Sequence, residues 1–392
     1  MMKKIAIVVC ALAALVSCGK QDTIYKQWVK VGGYVYPAKP IELTATSGYQ
    51  RIVLEWMAPM DPSIRSTKLY WDNYTDSLEF SYSDYKDGFL STQVKNLDDR
   101  SYTFDVVNFD AKGNRSLAAE ITTTPFGESW LLSHAERSLM DAVMDGDEAV
   151  ITMSKSTDEM VATQFRYLNK DGVVVESDYL EPGQTEIRLP NAMKGKRVEY
   201  KSAFVPSTGT DTVWFLSWQK PQDPILYMPD AEGWTVTATK GQVYSTYTPE
   251  KIIDGEISSS SRWHSSRVTA TAKKFPKVLV IDTGENGERI SFANLVFHQS
   301  TSSATYRYLR EVIVYVGDTP FDPDDEDPVT NFGTPAAQKT LSRTEESQSV
   351  EIKPEATGRY IALVFTNSYN GSGYLDLWEL SPYGYIPSEV DW

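Results

Sequence analysis

The sequence is poor in cysteine and histidine. Its 392 residues include two cysteines and three histidines. Both cysteines, Cys10 and Cys18, lie at the N-terminus, so the rest of the chain can form neither a disulfide nor a cysteine-based zinc site. An exported protein of this kind must be stabilised by its hydrophobic cores or by a bound metal ion.

The sequence also lacks the motifs of common enzymes. Its histidines, His134, His264 and His298, lie in three different segments. It has no Gly-x-Ser-x-Gly at a strand-to-helix turn, no His-Glu-x-x-His and no phosphate-binding glycine loop. Glycosidases need only two carboxylates, but usually in a deep cleft that small sandwiches joined in series do not readily supply. We therefore expect no enzymatic activity.

Positive charge is scarce. The chain has 38 Lys and Arg against 53 Asp and Glu, a formal net charge of −15, and loss of an N-terminal leader with Lys3 and Lys4 lowers this to about −17. An acidic surface of this size argues against nucleic acid and anionic membrane surfaces as partners.

The N-terminus has the three parts of an export signal. Lys3 and Lys4 precede "IAIVVCALAALV", about twelve apolar residues, which are too few to span a bilayer. "LVSC" followed by Gly19 resembles a bacterial lipoprotein lipobox. The resemblance implies a signal peptide at residues 1–17, lipid on Cys18, a tether at 18–33 and attachment to the outer membrane, facing the cell surface or the periplasm. An ordinary secretory signal peptide is the alternative.

The aromatic content favours strands. Aromatic residues make up 12% of the chain, with 23 Tyr and 10 Trp. Residues 34–127 contain short alternating segments such as "RIVLEW", in which Ile52, Leu54 and Trp56 share one face, and this spacing predicts an antiparallel sandwich. "NLDDRSYTFDVVNFDAKGNRS" resembles a fibronectin type III domain, which implies a corner hydrogen bond from Tyr102.

Residues 24–220 resemble a second, narrower family. "YPAKPIELTATSGYQRIVLEWMAPMDPSIRSTKLYWDN" is similar to a domain of unknown function of Bacteroidetes surface lipoproteins, which often precedes carbohydrate-binding modules. Residues 128–220 are predicted to be a second, divergent sandwich with a hairpin at Asp171-Gly172. "GESWLLSHAERSLMDAVMDGD" predicts a short helix or an irregular strand. "QKPQDPILYMPD" predicts a linker at 221–232.

Five motifs follow in order between residues 233 and 384, before a tail at 385–392. They are the Asp-Gly loop ending in Trp263, "FPKVLVIDTG", "VIVYVG", "RYI" and "LWEL". Together they resemble a discoidin domain, also called coagulation factor 5/8 type C, of the galactose-binding-like group. The resemblance implies a jelly-roll sandwich, so the whole chain is expected to be all-β, two fibronectin-like units followed by a discoidin unit.

The loop "PEKIIDGEISSSSRWHS" has the composition of a calcium site. Calcium takes six to eight oxygens, and Asp254, Glu256 and Ser261 offer side-chain oxygens while Lys251 offers its carbonyl. The resemblance implies that Glu379 closes the site. The family usually has Asp or Asn at the position of Glu256, and its serine run is shorter. The alternative is a solvated loop with Glu379 paired to a lysine.

Two neighbouring features have simpler interpretations. Trp263 is predicted to fill one end of the sandwich, and His264 to be exposed or locally hydrogen-bonded. "FDPDDEDP", residues 321–328, lacks the central glycine and distal glutamate of an EF-hand loop and is predicted to be a solvated acidic loop.

The resemblance implies a sugar site on loops at one end of the sandwich. Aromatic rings stack on the C–H faces of sugars, and polar side chains bind the hydroxyls. Candidates on the matching loops are His298, Gln299, Tyr306, Arg307, Asn367, Tyr369, Asn370 and Tyr374. The expected function is capture of polysaccharide or host glycan beside polysaccharide-uptake proteins. The alternatives are an adhesion or scaffolding protein whose loops bind a protein, and a degenerate module used only for assembly.

Overall fold

The protein is built almost entirely of antiparallel β-strands. The structure, a computed structural model, describes residues 36–266, 273–284, 289–299, 308–344, 346–369 and 373–392. These contain 23 strands in six sheets and two short α-helices. They divide into two compact units, one with residues up to His134 plus Val205–Val213, the other with Ala135–Phe204 and Trp214–Trp392. The prediction of an all-β chain of tandem sandwiches is confirmed.

The first unit pairs a three-stranded sheet, in the order β1-β2-β5, with a four-stranded sheet, β4-β3-β6-β7. Its core contains Ile52, Leu54 and Trp56, all fully buried, so the alternation of "RIVLEW" is confirmed. The elements are β1 (Ile41–Gly48), β2 (Arg51–Met57), β3 (Ile64–Trp71), β4 (Asp76–Ser81), a 3-10 helix (Tyr82–Asp84), β5 (Phe89–Lys95), β6 (Tyr102–Asp110), β7 (Ala119–Thr123) and α1 (Glu128–Leu132).

Hydrogen bonds to the side chains of Tyr102 and Asp211 stabilise the first unit. The hydroxyl of Tyr102 accepts the backbone N–H of Asp98 at 3.0 Å, so the predicted corner hydrogen bond is confirmed. Asp211 accepts the Arg51 guanidinium and the backbone N–H of Tyr49, the latter at 2.8 Å. Residues 205–213, predicted within the second sandwich, therefore pack with the first unit.

The second unit begins with a sandwich of two sheets, β12-β9-β8 and β11-β10-β13-β14. The predicted hairpin is present: Gly172, with φ of +74°, donates its N–H to Asn169 between β10 and β11. The strands are β8 (Leu139–Asp145), β9 (Glu148–Met153), β10 (Met160–Leu168), β11 (Val174–Leu180), β12 (Glu186–Pro190), β13 (Glu199–Phe204) and β14 (Val213–Trp214). "GESWLLSHAERSLMDAVMDGD" thus contains both a helix, α1, and a strand, β8.

The C-terminal sandwich has sheets β15-β17-β22-β19-β20 and β16-β23-β18-β21, with its main core between them. Its strands are β15 (Thr235–Ala238), β16 (Trp263–His264), β17 (Lys277–Asp282), β18 (Ile290–Gln299), β19 (Leu309–Gly317), β20 (Ala337–Thr340), β21 (Gln348–Gly358), β22 (Tyr360–Ser368) and β23 (Asp376–Tyr385). Helix α2 spans Pro328–Asn331, and 3-10 helices span Pro249–Ile252 and Pro387–Glu389.

The segment predicted to be a linker, 221–232, pairs with both sandwiches of the second unit. Leu226 forms a parallel bridge with Val143, and Tyr227 an antiparallel bridge with Gly384. The predicted C-terminal tail also packs against the second sandwich, since the backbone N–H of Arg197 donates to the carbonyl of Val390 at 3.1 Å. These residues connect the two sandwiches through backbone hydrogen bonds and do not form a free spacer.

The acidic segment 321–328 covers the outer face of one sheet. Phe321 and Phe332 pack near Tyr315, with ring centroids 6.3 Å and 5.5 Å from it. The carboxylates of Asp322 and Asp324 are exposed. The prediction of a solvated acidic loop holds for these carboxylates, and the aromatic residues at both ends of the loop hold it against the sheet.

Candidate functional site

The Asp-Gly loop is held in one shape by its own polar groups. The 3-10 helix Pro249–Ile252 leads into Asp254 and then Gly255, whose φ of +79° favours glycine. The Ser261 hydroxyl donates to the Asp254 carboxylate, and the Lys251 ammonium donates to the carbonyl of Ser260 at 2.9 Å. These contacts explain the residue types of the loop, because Gly255 allows the positive φ and the Ser261 hydroxyl binds the Asp254 carboxylate.

Glu379 reaches this loop from strand β23. The backbone N–H of Gly255 donates to its Oε1 at 3.3 Å. Glu379 is 4% exposed, and among the described residues its Oε2 has no hydrogen-bond partner. The alternative pairing of Glu379 with a lysine is not found among those residues.

The electrostatics of Glu379 favour a nearby cation. Burial, together with the charge of Asp254, raises the pKa of Glu379 to about 8, against the opposing effect of the Gly255 N–H. Asp254, Ser261 and Glu379 are hard oxygen donors of the kind calcium prefers. The unpartnered, buried Oε2 fits a cation, although no cluster of three or more His, Cys, Asp or Glu suited to a metal occurs among the described residues.

The side chains of the other two predicted metal ligands, Glu256 and Lys251, make hydrogen bonds elsewhere in the loop. Glu256 is exposed, and its carboxylate accepts the hydroxyl of Ser258 at 2.7 Å. Lys251 uses its ammonium within the loop, and its carbonyl, the predicted ligand atom, stays a prediction. The structure therefore brings together Asp254, Ser261 and Glu379 of the five predicted residues.

His298 and Gln299 lie on strand β18. His298 is half-buried, with Nε2 3.2 Å from the Ser381 hydroxyl, and burial lowers its pKa. Gln299 is 1% exposed; its amide donates to the Ser342 carbonyl at 3.2 Å and its side-chain oxygen accepts the Leu309 N–H at 3.0 Å. Gln299 therefore fixes the local backbone and does not face solvent.

Of the predicted residues on the later loop, Tyr369 and Asn367 use their side chains in hydrogen bonds, and Tyr374 is partly exposed. The Tyr369 hydroxyl donates to the Leu341 carbonyl at 2.9 Å, and the Asn367 side chain accepts the N–H of Ser368 at 2.8 Å. Tyr374 is partly exposed, and the ammonium of the exposed Lys273 lies 5.7 Å from its ring centre. The predicted residues Tyr306, Arg307 and Asn370, like Cys18, lie outside the described residues.

Trp263 and His264, which form strand β16, are both buried. Trp263 is fully buried against Phe365, as predicted, and donates its indole N–H to the Gln242 carbonyl at 2.8 Å. His264 is 2% exposed and hydrogen-bonded locally, the second of the two predicted alternatives. Its Nδ1 lies 2.6 Å from the Ser265 carbonyl and 3.5 Å from the buried Asp376 carboxylate.

In the comparisons with known proteins, one family model matches the N-terminal half of the chain. Residues 18–212 match the model of a family described as a domain of unknown function. No curated protein matches the chain.

Several solved structures are similar to parts of the chain. A family 32 carbohydrate-binding module of C. perfringens NanJ, in complex with galactose, is 15% identical over 41% of this chain and 99% of its own, with a TM-score of 0.33. A SusE-like protein is 11% identical over 88% of this chain and 96% of its own, with a TM-score of 0.34. Two fibronectin type III domains of chicken tenascin are 13% identical over 46% of this chain and 99% of theirs, with a TM-score of 0.21.

Sequence reasoning missed one buried charged side chain, that of Lys277 at the start of strand β17. Lys277 is fully buried, its ammonium lies 2.7 Å from the Gln242 side-chain oxygen, and burial lowers its pKa to about 8. The alternation of β17 carries the signal, because Lys277 shares a face with Leu279 and Ile281, which lie in the core.

The described residues include no helix with both the length and the apolar composition needed to cross a membrane.

Proposed function

We propose that this protein binds carbohydrate, without catalysis, through loops at one end of its C-terminal sandwich. The pairing of Tyr374 with Lys273 carries this proposal. A partly exposed aromatic ring lies beside an exposed ammonium, at the end where strand β23 begins and strand β17 approaches. The ring offers a stacking face to the C–H groups of a sugar, and the ammonium offers three hydrogen-bond donors to its hydroxyls.

The backbone supports the position of Tyr374. Gly373 has a φ of +72°, and a Cβ at this residue would lie 2.0 Å from the Lys273 carbonyl oxygen. Only glycine lets the two segments approach this closely, so the sequence Gly-Tyr brings the ring to Lys273. Tyr369 lies nearby in sequence, with the Arg310 guanidinium 5.9 Å from its ring centre, and its hydroxyl is already used by Leu341.

We further propose that calcium binds at the Asp-Gly loop with a structural role. Asp254, Ser261 and Glu379 would hold it, and remaining ligands would be carbonyls, with Lys251 a candidate, or water. The ion would neutralise two facing carboxylates and tie strand β23 to a loop more than a hundred residues earlier in the chain. Since residues 19–392 contain no cysteine, such a contact would substitute for a covalent link.

The cellular setting is proposed from the sequence alone. The lipobox-like "LVSC" supports a lipid anchor at Cys18 and attachment to the outer membrane, with the domains facing the cell surface or the periplasm. At the surface the protein would hold polysaccharide or host glycan for neighbouring uptake proteins. Weak single-site affinity would then be offset by a high surface density of binding sites.

A glycan array tests this function. The chain from residue 19 onward, carrying a fluorescent label, is applied to plant, mucin and microbial glycans, together with the variants Tyr374→Ala and Lys273→Ala. The exposed Tyr82 of the first unit, changed to alanine, is the matched control. Binding to one glycan class that Tyr374→Ala abolishes and Tyr82→Ala preserves supports the proposal. Absence of binding to every glycan contradicts it, and a protein contact would depend on a larger patch of residues.

A further inference from the structure

A groove in the second unit is lined by Trp234. Two cavities, of about 560 Å³ and about 430 Å³, share part of their lining and are therefore two lobes of one groove. The volume of each lobe lies within the about 300–1,000 Å³ typical of small-molecule sites. The shared residues are Lys194, Pro229, Asp230, Glu232 and Trp234.

Trp234 is held firmly at the centre of this groove. It is partly exposed and packs against the main core of the sandwich. Its backbone N–H donates to Ala231 at 3.0 Å, closing a turn through Gly233, whose φ is +81°. A Cβ on Gly284 would lie 3.3 Å from the Gly233 carbonyl oxygen, so this turn packs closely against the end of strand β17. The indole thus forms a preorganised surface for a flat, apolar ligand face.

A buried threonine, Thr283, lines the larger lobe. Thr283 is 4% exposed, and its Oγ1 has no hydrogen-bond partner among the described residues. A buried polar group without a partner costs free energy, and a ligand hydroxyl would recover it once Thr283 turns its Oγ1, which has almost no accessible surface, toward the lobe. Tyr227 adds a second aromatic wall, with the Lys194 ammonium 4.9 Å from its ring centre.

The charges around this lobe nearly balance. Three carboxylates and two ammonium groups line it, the residues being Asp230, Glu232, Glu389, Lys194 and Lys196. In the larger lobe this mixture gives no strong preference for an anion or a cation and supplies both donors and acceptors, whereas the smaller lobe is acidic, with Asp230, Glu232, Asp254 and Glu379 against Lys194. A neutral ligand with many hydroxyls and an apolar face uses all of these features.

We propose that this groove is a second saccharide site that binds a neutral sugar, stacked on Trp234 with a hydroxyl at Thr283. It goes beyond the function proposed above and uses none of the residues of the Tyr374 site, while its smaller lobe is bordered by Asp254 and Glu379, the proposed calcium ligands. Strand β17 begins at Lys277, four residues after Lys273, and Thr283 follows its other end, roughly 20 Å from Lys277 at about 3.3 Å per residue. The two sites would hold one glycan chain, or two, at opposite ends of the same sandwich.

Calorimetric titration of the full chain tests the proposal. The probes are neutral oligosaccharides of glucose, galactose, mannose, xylose and N-acetylglucosamine, applied to the wild type and to Thr283→Val, Trp234→Ala and Tyr374→Ala. Thr283→Val keeps the side-chain shape and removes the unpartnered hydroxyl, so its melting temperature should be equal to or above that of the wild type. We expect about tenfold weaker binding at one site in Thr283→Val, and loss of that site in Trp234→Ala.

The outcomes separate the two sites. Stoichiometry that falls from two sugars per chain to one in Trp234→Ala, and likewise from two to one in Tyr374→Ala, supports both proposals. Saccharide binding that neither Trp234→Ala nor Thr283→Val changes overturns the groove site and leaves the loop site standing. Binding that only the groove variants change supports the groove and contradicts the loop site. Absence of binding by the wild type to every probe overturns both.

Discussion

The backbone N–H of Gly255 lies 3.3 Å from Oε1 of Glu379, although the two residues are 124 positions apart. This contact joins the Asp-Gly loop to the last strand of the sandwich and leaves the other carboxylate oxygen of Glu379 buried with no partner among the described residues. A cation between Glu379 and Asp254 would complete the link.

Calcium should raise the thermal stability of the chain through Glu379. At a free calcium concentration one hundred times the dissociation constant, binding raises the melting temperature by about 5–10 °C, since only the folded state binds. Calorimetry with calcium and with chelator measures the rise, which Glu379→Gln and Asp254→Asn should abolish. Glu256→Gln should retain it, because the Glu256 carboxylate accepts from Ser258. An equal rise in the wild type and in Glu379→Gln would contradict the site.

Lys277 should make the stability depend on alkaline pH. Burial lowers its pKa to about 8 from 10.5, so below pH 8 both folded and unfolded chains carry the charge and its burial cost is fully present. Between pH 8 and 10.5 the folded state loses this proton first and the cost disappears. The wild type should therefore gain up to about 3 kcal/mol relative to Lys277→Met across this range. Unfolding at several pH values measures the difference, and a constant difference would contradict the assignment.

The Tyr102 corner should contribute measurably to the stability of the first unit. Tyr102 is 4% exposed, and Tyr102→Phe removes only the hydroxyl that accepts the Asp98 N–H. We expect a loss of about 1 kcal/mol, seen as a lower unfolding temperature of the first unit by calorimetry. Tyr82→Phe, at an exposed ring, should have no effect. Equal melting of Tyr102→Phe and the wild type would show that the hydrogen bond adds nothing.

Arg137 should be essential for the second sandwich. It is 2% exposed, and its guanidinium donates to the carbonyls of Gln184, Glu181 and Pro182 at 2.6, 3.0 and 3.2 Å. Arg137→Met leaves these carbonyls without their donor, and we expect a loss of about 2–4 kcal/mol in chemical denaturation. Arg137→Lys should lose nearly as much, because an ammonium cannot span the three acceptors as the planar fork does. Full stability of Arg137→Met would contradict this role.

The fold was largely predictable because its signals are local. Alternation places Ile52, Leu54 and Trp56 on a buried face, and Asp171-Gly172 forms a hairpin turn through backbone preference alone. The segment 221–232 was harder to predict. Its prolines are typical of linkers, yet its backbone pairs with both sandwiches, a tertiary outcome that composition does not encode.

The candidate site was predictable only in part. Asp254 binds Ser261, and Glu379 reaches the loop at Gly255, as the resemblance to discoidin domains implied. Gln299 is buried by contacts with Ser342 and Leu309, which depend on the packing of segments distant in sequence. Trp234 was not predicted as a binding residue, because its groove is lined by residues of the linker segment, which composition suggested would be free.

Titration of the chain from residue 19 onward with the strongest binder from the glycan array tests the central claim most directly. The account predicts saturable binding by the wild type, loss of one binding site in Tyr374→Ala, weaker binding at that site in Lys273→Ala and no change in Tyr82→Ala, with all melting temperatures preserved. Undiminished binding by the folded Tyr374→Ala and Lys273→Ala variants would contradict carbohydrate capture at this end of the sandwich.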